Sequence, residues 1–491
     1  STALRYCVTI PIIALLSACD LASLVSIERQ KTTTGPTDLV KIETSIDGNG
    51  VAVENLTIRV GDSRTLYAID RTAAGGLNGP ATVTSWSLTP GLGTLTINSD
   101  GYSAAFVATT AGTGTVTVVV DGTSFVYTVN ITTPLDPIIS STNIRPFATY
   151  STSFLSVDVD WGRKYAYIGT TEGSVCLHVA DFSAPASVSI VKSIGTADAI
   201  VTCRGVKIFD SNTKIVLSSY GNNKIDVWDI TSSAPAAWAR IATVGLGELG
   251  KNPGPIISLG AGLWDLWVPS RFRGRRIRFD ANTPSSLTLA ASACTATNCP
   301  GSSSLNALAL LGDNLLLQPN SGSSEPLTWW RASTLPASVG YSGALGTVPM
   351  TSWGWTAVSN SARTKSFLGG AIGGAASYTF LGLSGGLPSI SKKFTNTAAS
   401  VIRWADFTIE GSKEYLYSLS ANGRLDKWDV TDIVNPRLVA SHTFTTGTPE
   451  FYGIDVNEYT GQAIIVTSRG DFILFDTSKM NVSEVPYATV P

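Results

Sequence analysis

Gly423-Arg424-Leu425-Asp426-Lys427-Trp428-Asp429-Val430 can be laid over Gly470-Asp471-Phe472-Ile473-Leu474-Phe475-Asp476-Thr477, so that a turn glycine, a short apolar run and a terminal aspartate return after 47 residues. Asn223-Lys224-Ile225-Asp226-Val227-Trp228-Asp229-Ile230 and Gly274-Arg275-Arg276-Ile277-Arg278-Phe279-Asp280-Ala281 fit the same frame. Val179-Ala180-Asp181-Phe182 fits with one extra residue, and the stretches around Trp330-Arg331 and Phe380-Leu381 fill two remaining slots, giving seven units. Each unit reads as four strands. In the sixth they are expected at 401–409, 414–420, 424–428 and 437–442. A four-strand period of about 45–50 residues is the signature of a propeller blade.

Working outward, the repeat occupies residues 138–491, beyond the linker Thr133-Pro134-Leu135-Asp136-Pro137. Residues 38–134 carry a different rhythm. Short alternating runs such as Leu56-Thr57-Ile58-Arg59-Val60 and Phe125-Val126-Tyr127-Thr128-Val129 are separated by Gly, Asp and Asn, the pattern of a β-sandwich. Residues 20–37 read as a polar tether and 1–19 as a leader, with Arg5 ahead of an apolar run from Val8 to Leu16 that is too short to span a bilayer. The expected fold class is therefore all-β, a sandwich followed by a seven-bladed β-propeller.

Several stretches resemble known families. Val227-Trp228-Asp229-Ile230-Thr231 and Lys427-Trp428-Asp429-Val430-Thr431, followed by Ala234-Pro235 and Asn435-Pro436, resemble the LVIVD-repeat propellers and more loosely the WD-repeat class. The fit is good in blades one, two, six and seven and degenerate in four and five. Ser85-Trp86-Ser87-Leu88, Ala105-Phe106-Val107-Ala108 and Ala111-Gly112-Thr113-Gly114-Thr115-Val116 resemble bacterial immunoglobulin-like modules, which implies a spacer or adhesive unit with Trp86 in its core. Leu16-Ser17-Ala18-Cys19 resembles the lipobox of bacterial lipoproteins, which implies lipidation at Cys19, export, and a membrane held through that lipid anchor.

Charged residues make up only 14% of the chain, and 34 basic against 36 acidic side chains leave a formal net charge of -2. No general field draws in nucleic acid, so any electrostatic site must be local. Six cysteines fit an oxidising compartment. Cys294 and Cys299 bracket a short polar loop and read as a local disulfide, with metal binding as the rival. Cys176 and Cys203 read either as a pair or as buried thiols.

Repeated Asp181, Asp229, Asp280, Asp429 and Asp476, each at a strand end, are expected to accept turn hydrogen bonds. Five arginines within eight positions, Arg271 to Arg278, fall at the hairpin between the second and third strands of blade three. Of these Arg271, Arg273 and Arg275 are the candidates for binding phosphate, sulfate or uronate, while Arg276 and Arg278 alternate with core-facing Ile277 and Phe279. Phe154, Trp404 and Phe451 are read as equivalent residues at the start of the inner strands, with Trp353 and Trp355 near that position in blade five, where they would ring the channel mouth. Two histidines, no phosphate-cradling loop, no nucleophile elbow and no clustered metal ligands leave no catalytic signature and call for no cofactor. The expected role is a non-catalytic surface or extracellular binding protein that recognises a polysaccharide or an envelope protein. The alternatives are a subunit of an extracellular filament or surface layer, in which the chain would meet copies of itself, and a propeller hydrolase or lyase.

Overall fold

Alternation of β-branched or aromatic residues with polar ones makes each short segment a strand with one face to bury, and such faces are buried by stacking sheets. A computed structural model of the chain describes residues 39–72, 74–145, 153–270, 273–293, 305–319, 326–331, 343–347, 352–444, 450–483 and 488–489. The leader, the tether, Cys19, Arg271, Cys294 and Cys299 lie outside the described residues.

Two sheets form the first unit. One orders Leu39–Glu43, Ser63–Arg71, Ser103–Ala108 and Gly93–Ile97; the other orders Ile58–Arg59, Thr123–Thr132, Gly112–Val120 and Ser85–Leu88. Leu66, Ala68 and Phe106 from the first sheet meet Val116, Val118 and Val129 from the second in one apolar core, and Trp86 lies buried with them.

Seven further sheets follow among the described residues, each antiparallel, and six of them run from an inner to an outer strand in chain order. The inner strands of blades four, five, six, seven, one and two touch in succession, that of blade seven, Phe451–Val456, reaching that of blade one, Phe154–Asp160, while blade three closes the ring through its second strand, Leu263–Pro269, against blade four and through a core shared with blade two. The ring is a seven-bladed β-propeller. In blade six the strands are Ile402–Glu410, Lys413–Ser420, Arg424–Asp429 and Arg437–Thr443, within a residue or so of the spans expected from the repeat.

The sequence allowed two closures, by residues 485–490 or by 143–150, and the ring closes from the second side, with a strand that ends where that span begins. The outer strand of blade seven is Ile138–Asn143, paired antiparallel with Asp471–Asp476, so the two ends of the repeat region share one blade. The last residues run elsewhere: Asn481–Val482 adds to the outer strand of blade six and Ala488–Thr489 to that of blade five. This return also fixes the first unit to the ring. Asp62 accepts a hydrogen bond from the Val482 N–H at 2.9 Å with one carboxylate oxygen, and from the Arg59 N–H at 2.9 Å with the other.

Aromatic side chains seal the joints between blades. Trp428 of blade six is buried among Tyr378, Phe380 and Phe394 of blade five, with ring centroids 5.1, 5.3 and 5.3 Å away. The recurring aspartates act at the turns. Asp181, Asp229, Asp280, Asp429 and Asp476 each accept a hydrogen bond from the backbone N–H two residues on, at 2.8–3.1 Å. Cys176 of blade one and Cys203 of blade two, both fully buried, are joined as a disulfide with their Cα atoms 4.5 Å apart, which decides between the two readings of that pair.

Candidate ligand-binding channel

Four inner strands align without a gap: Phe154-Leu155-Ser156-Val157-Asp158, Cys203-Arg204-Gly205-Val206-Lys207, Ile402-Arg403-Trp404-Ala405-Asp406 and Phe451-Tyr452-Gly453-Ile454-Asp455. In each, the ladder to the second strand skips the second residue, a β-bulge at one level of the ring. This corrects the equivalence assigned from sequence. Ile402, not Trp404, matches Phe154 and Phe451, and Trp404 stands two residues further along its strand.

The first position packs between blades and does not line the mouth. Phe154 and Phe451 are fully buried; Phe154 meets the edge of His178 at 6.0 Å, and Phe451 stacks on Phe444 at 5.0 Å. Trp353 and Trp355 fall on the inner strand of blade five, Ser352–Ser359, and their side chains lie outside the described set.

The fifth position carries charge. Asp406, Asp455 and Asp158 each reach the next blade and accept a backbone hydrogen bond there, from Val456 at 3.1 Å, Val159 at 3.2 Å and Ile208 respectively. Asp455 also accepts from the Trp161 indole at 2.7 Å. The fourth member is Lys207, whose ammonium lies 3.2 Å from Asp158. Asp158 first, with help from Asp406 and Asp455, holds that ammonium above the ordinary lysine range against the opposing effect of burial. Burial pushes Asp406 up to about 6, and burial together with the charges of Asp158 and Asp406 raises Asp455 well above the usual carboxylate range.

The second position is the mouth. A bulge residue is left out of the ladder and re-aimed, and the residues re-aimed here include Arg204, Arg403 and Tyr452. Arg204 lies over the Tyr220 ring at 4.3 Å, with the Lys251 ammonium 5.6 Å from the same ring. Arg403 lies over Tyr452 at 4.9 Å and pairs with Glu450 at 3.0 Å, while the Tyr452 hydroxyl donates to Glu450 at 2.5 Å. Burial pushes the Tyr452 phenol up to about 12. Sequence reasoning missed Arg204, Arg403, Lys251, Tyr220 and Tyr452. The ungapped alignment of the inner strands would have found Arg204, Arg403 and Tyr452, because it places them at one ring position.

A cavity of about 470 Å³ opens in the channel, its wall including Lys207, Asp406, Trp404, Asn252, Asn360 and Arg363. That size suits a small ligand or one end of a larger one. Among the described residues no group of three or more His, Cys, Asp or Glu side chains is placed to hold a metal ion.

The arginine hairpin of blade three is tied to its own surroundings. Arg275, expected on the turn, belongs to the third strand, Gly274–Asp280, and is 5% exposed; it donates to the Leu246 carbonyl at 3.1 Å and pairs with Glu248 at 3.3 Å. Arg273 reaches the same Glu248 at 3.2 Å, and Arg278 pairs with Asp265 at 3.0 Å. The reason is local: Glu248 on one side of the strand and Asp265 on the other pair with its arginines.

No protein-family model matches this chain, and no curated protein matches it. Among solved structures it is similar to Chaetomium thermophilum Sqt1 bound to the N-terminus of the ribosomal protein L10, at 13% identity over 70% of this chain and 100% of that one, TM-score 0.49. It is also similar to the Cps50 (Swd1) β-propeller domain of Myceliophteria thermophila, at 10% identity over 68% and 99%, TM-score 0.47, and to the Dos1 propeller, at 10% over 70% and 96%, TM-score 0.47. At these values the fold rests on the sheet order given above.

Proposed function

We propose that this chain is a non-catalytic binding protein of the bacterial cell surface or extracellular space, with an immunoglobulin-like unit as spacer and the channel face of the propeller recognising a polysaccharide. The observation that carries this reading is the channel itself. A cavity of ligand size is walled by Trp404 with amide and charged groups, and a ring of cations laid on tyrosines stands at one end. An aromatic face beside polar groups is the chemistry that holds a sugar ring. Retention on extracted envelope polysaccharides tests it: at least one should bind, and Trp404→Ala should lower affinity about tenfold, as expected for an aromatic anchor. Equal retention of the variant, or retention on none, rejects the reading. Display through a lipid at Cys19 is tested by Cys19→Ser, which should release the protein from the membrane fraction.

A second reading, the propeller hydrolase, is favoured by one arrangement. The exposed Ser193 hydroxyl lies 2.8 Å from His178 Nδ1, and His178 Nε2 lies 2.8 Å from Glu172. Burial keeps His178 below its ordinary range, while hydrogen bonds from Arg145 and His178 outweigh burial and hold Glu172 ionised. A buried imidazole needs both nitrogens satisfied, which these bonds also achieve. Labelling by a fluorophosphonate that disappears in Ser193→Ala would favour the hydrolase; absence of labelling leaves the contacts structural.

A further inference from the structure

We infer that the channel cavity holds the protonated amine of an amino sugar against Asp406, with the sugar ring on Trp404, so that the polysaccharide recognised is one that bears free amino groups. This rests on the polysaccharide reading above and names its sugar class.

Trp404 and Asp406 both line the cavity and stand two residues apart on the inner strand of blade six, where the ladder to the second strand runs unbroken from Trp404 to Glu410. Residues so spaced share one face of a strand, about 6.7 Å apart. That separation lets a sugar ring lie on the indole while a substituent of the same ring meets the carboxylate.

The carboxylate lacks a cation. Asp158, Asp406 and Asp455 stand at one level of the ring with Lys207, whose ammonium pairs with Asp158 at 3.2 Å; neither Asp406 nor Asp455 forms an ion pair among the described residues. Burial drives a carboxyl without a cation toward its neutral form. It raises Asp406 up to about 6 and, with the charges of Asp158 and Asp406, Asp455 well above the usual carboxylate range. Asp455 spends both oxygens, on the Val159 N–H and the Trp161 indole. Asp406 gives one to the Val456 N–H and faces the cavity, so it is the member that an ammonium from solution can reach.

Lys207 and Arg363 also belong to the wall, and neither takes that place. Lys207 is held by Asp158, and Arg363 lies past the far end of its inner strand, Ser352–Ser359, on an exposed turn where its N–H donates to the Asn360 carbonyl. At the mouth Arg204 and Arg403 stand three residues before Lys207 and Asp406, about 10 Å along the strands, close to the screening length of physiological salt. Arg403 is paired there with Glu450.

Isothermal titration at about pH 6.5, where Asp406 is mostly ionised, compares a hexamer of glucosamine with its N-acetylated counterpart. The intact protein should bind the amine form at least about tenfold more tightly, as expected for a charge-assisted hydrogen bond, and added salt should narrow the gap. Asp406→Asn should bring the two hexamers to one affinity, while Trp404→Ala should weaken both alike. Asp406→Glu keeps the charge on a longer stem and should retain part of the preference in a chain whose melting confirms the fold. Equal affinity for both hexamers, a preference that survives Asp406→Asn, or binding only of polysaccharides without free amines overturns the amino-sugar assignment while the polysaccharide reading stands. Binding of no polysaccharide overturns both.

Discussion

Blades six, seven, one and two are joined along the channel differently from blades three, four and five. In the first group the aspartate at the fifth position of the inner strands of blades six, seven and one reaches the backbone of the next blade, Asp406 to Val456, Asp455 to Val159 and Asp158 to Ile208. A disulfide, Cys176–Cys203, adds a covalent link between blades one and two. Around blades three to five glycine backbone packs against side chains of the next blade, and the Ser359 hydroxyl of blade five accepts from the Leu310 N–H of blade four at 3.0 Å. A Cβ on Gly254 would come within 2.2 Å of Leu308, and one on Gly369 within 2.7 Å of Ile402. The difference follows the chain. Blade seven is assembled from both ends of the repeat, so its joint with blade one has no continuous chain across it, and polar and covalent links gather at that joint and at the two beside it.

The largest effect should come from breaking closure. Prolines at Ser140 and Thr142 would remove ladder donors from the strand that brings the start of the repeat to its end, costing at least about 3 kcal/mol. The cooperative thermal transition should broaden or split. The same pair of prolines in the outer strand of blade three, Thr288–Ala293, should lower the midpoint and leave one transition, because that strand is tethered to its neighbour. Identical behaviour of the two variants would remove the distinction between the groups. Next in size is the disulfide. Its partners are 27 residues apart, and replacing both cysteines by alanine should cost about 3.5 kcal/mol through the freed unfolded chain. Calorimetry of the wild-type chain with and without reductant checks the same quantity.

How much of this was legible divides along the same line. The repeat could be read where a strand ends in Trp-Asp or Phe-Asp, because an aspartate that caps its own turn must recur wherever the turn recurs. The strand limits of blade six follow from that. Closure by Ile138–Asn143 was not legible, since an edge strand without the glycine and aspartate of the frame carries no repeat signal. The channel was read two residues out of register in blade six. Trp404 attracts attention as a large aromatic, but a bulge makes the ring position depend on the ladder, and Ile402 matches Phe154 in the ladder. The arginine run misled for a physical reason as well: clustering in sequence along one strand sends alternate residues to opposite faces, where Glu248 and Asp265 pair with them.

A finer contrast is electrostatic. Because burial raises Asp406 to about 6 in the folded chain, the folded state holds that proton more tightly than the unfolded one. Its favourable contribution is present below the unfolded value near 4 and is lost as pH rises toward 6. Asp406→Asn should therefore stabilise the protein by about 1–2 kcal/mol at pH 7 and by almost nothing at pH 4, with Lys207 still paired to Asp158. The informative quantity is the difference between variant and wild type at each pH, since depressed carboxylates such as Asp429 and Asp432 slope the other way. A variant equally shifted at both pH values would show that the aspartate acts through its hydrogen bond to Val456 alone.

The smallest effect should be found in the arginine hairpin of blade three. Arg273 is about two-thirds buried and its partner Glu248 also serves Arg275 and the Ser270 hydroxyl, so Arg273→Gln leaves that carboxylate with two other donors. A partly exposed pair of this kind contributes at most about 1 kcal/mol, and the melting midpoint should move by no more than a degree or two. Arg275→Gln is the internal control: its guanidinium is buried against the Leu246 carbonyl, and removing that charge leaves Glu248 and the carbonyl short of a donor, at a cost of about 1–3 kcal/mol. Neither change touches the channel wall at Trp404, so polysaccharide retention by the Arg273 variant should equal that of the parent. If the Arg273 variant instead loses retention while Trp404→Ala keeps it, the binding site belongs to the hairpin of blade three and not to the channel.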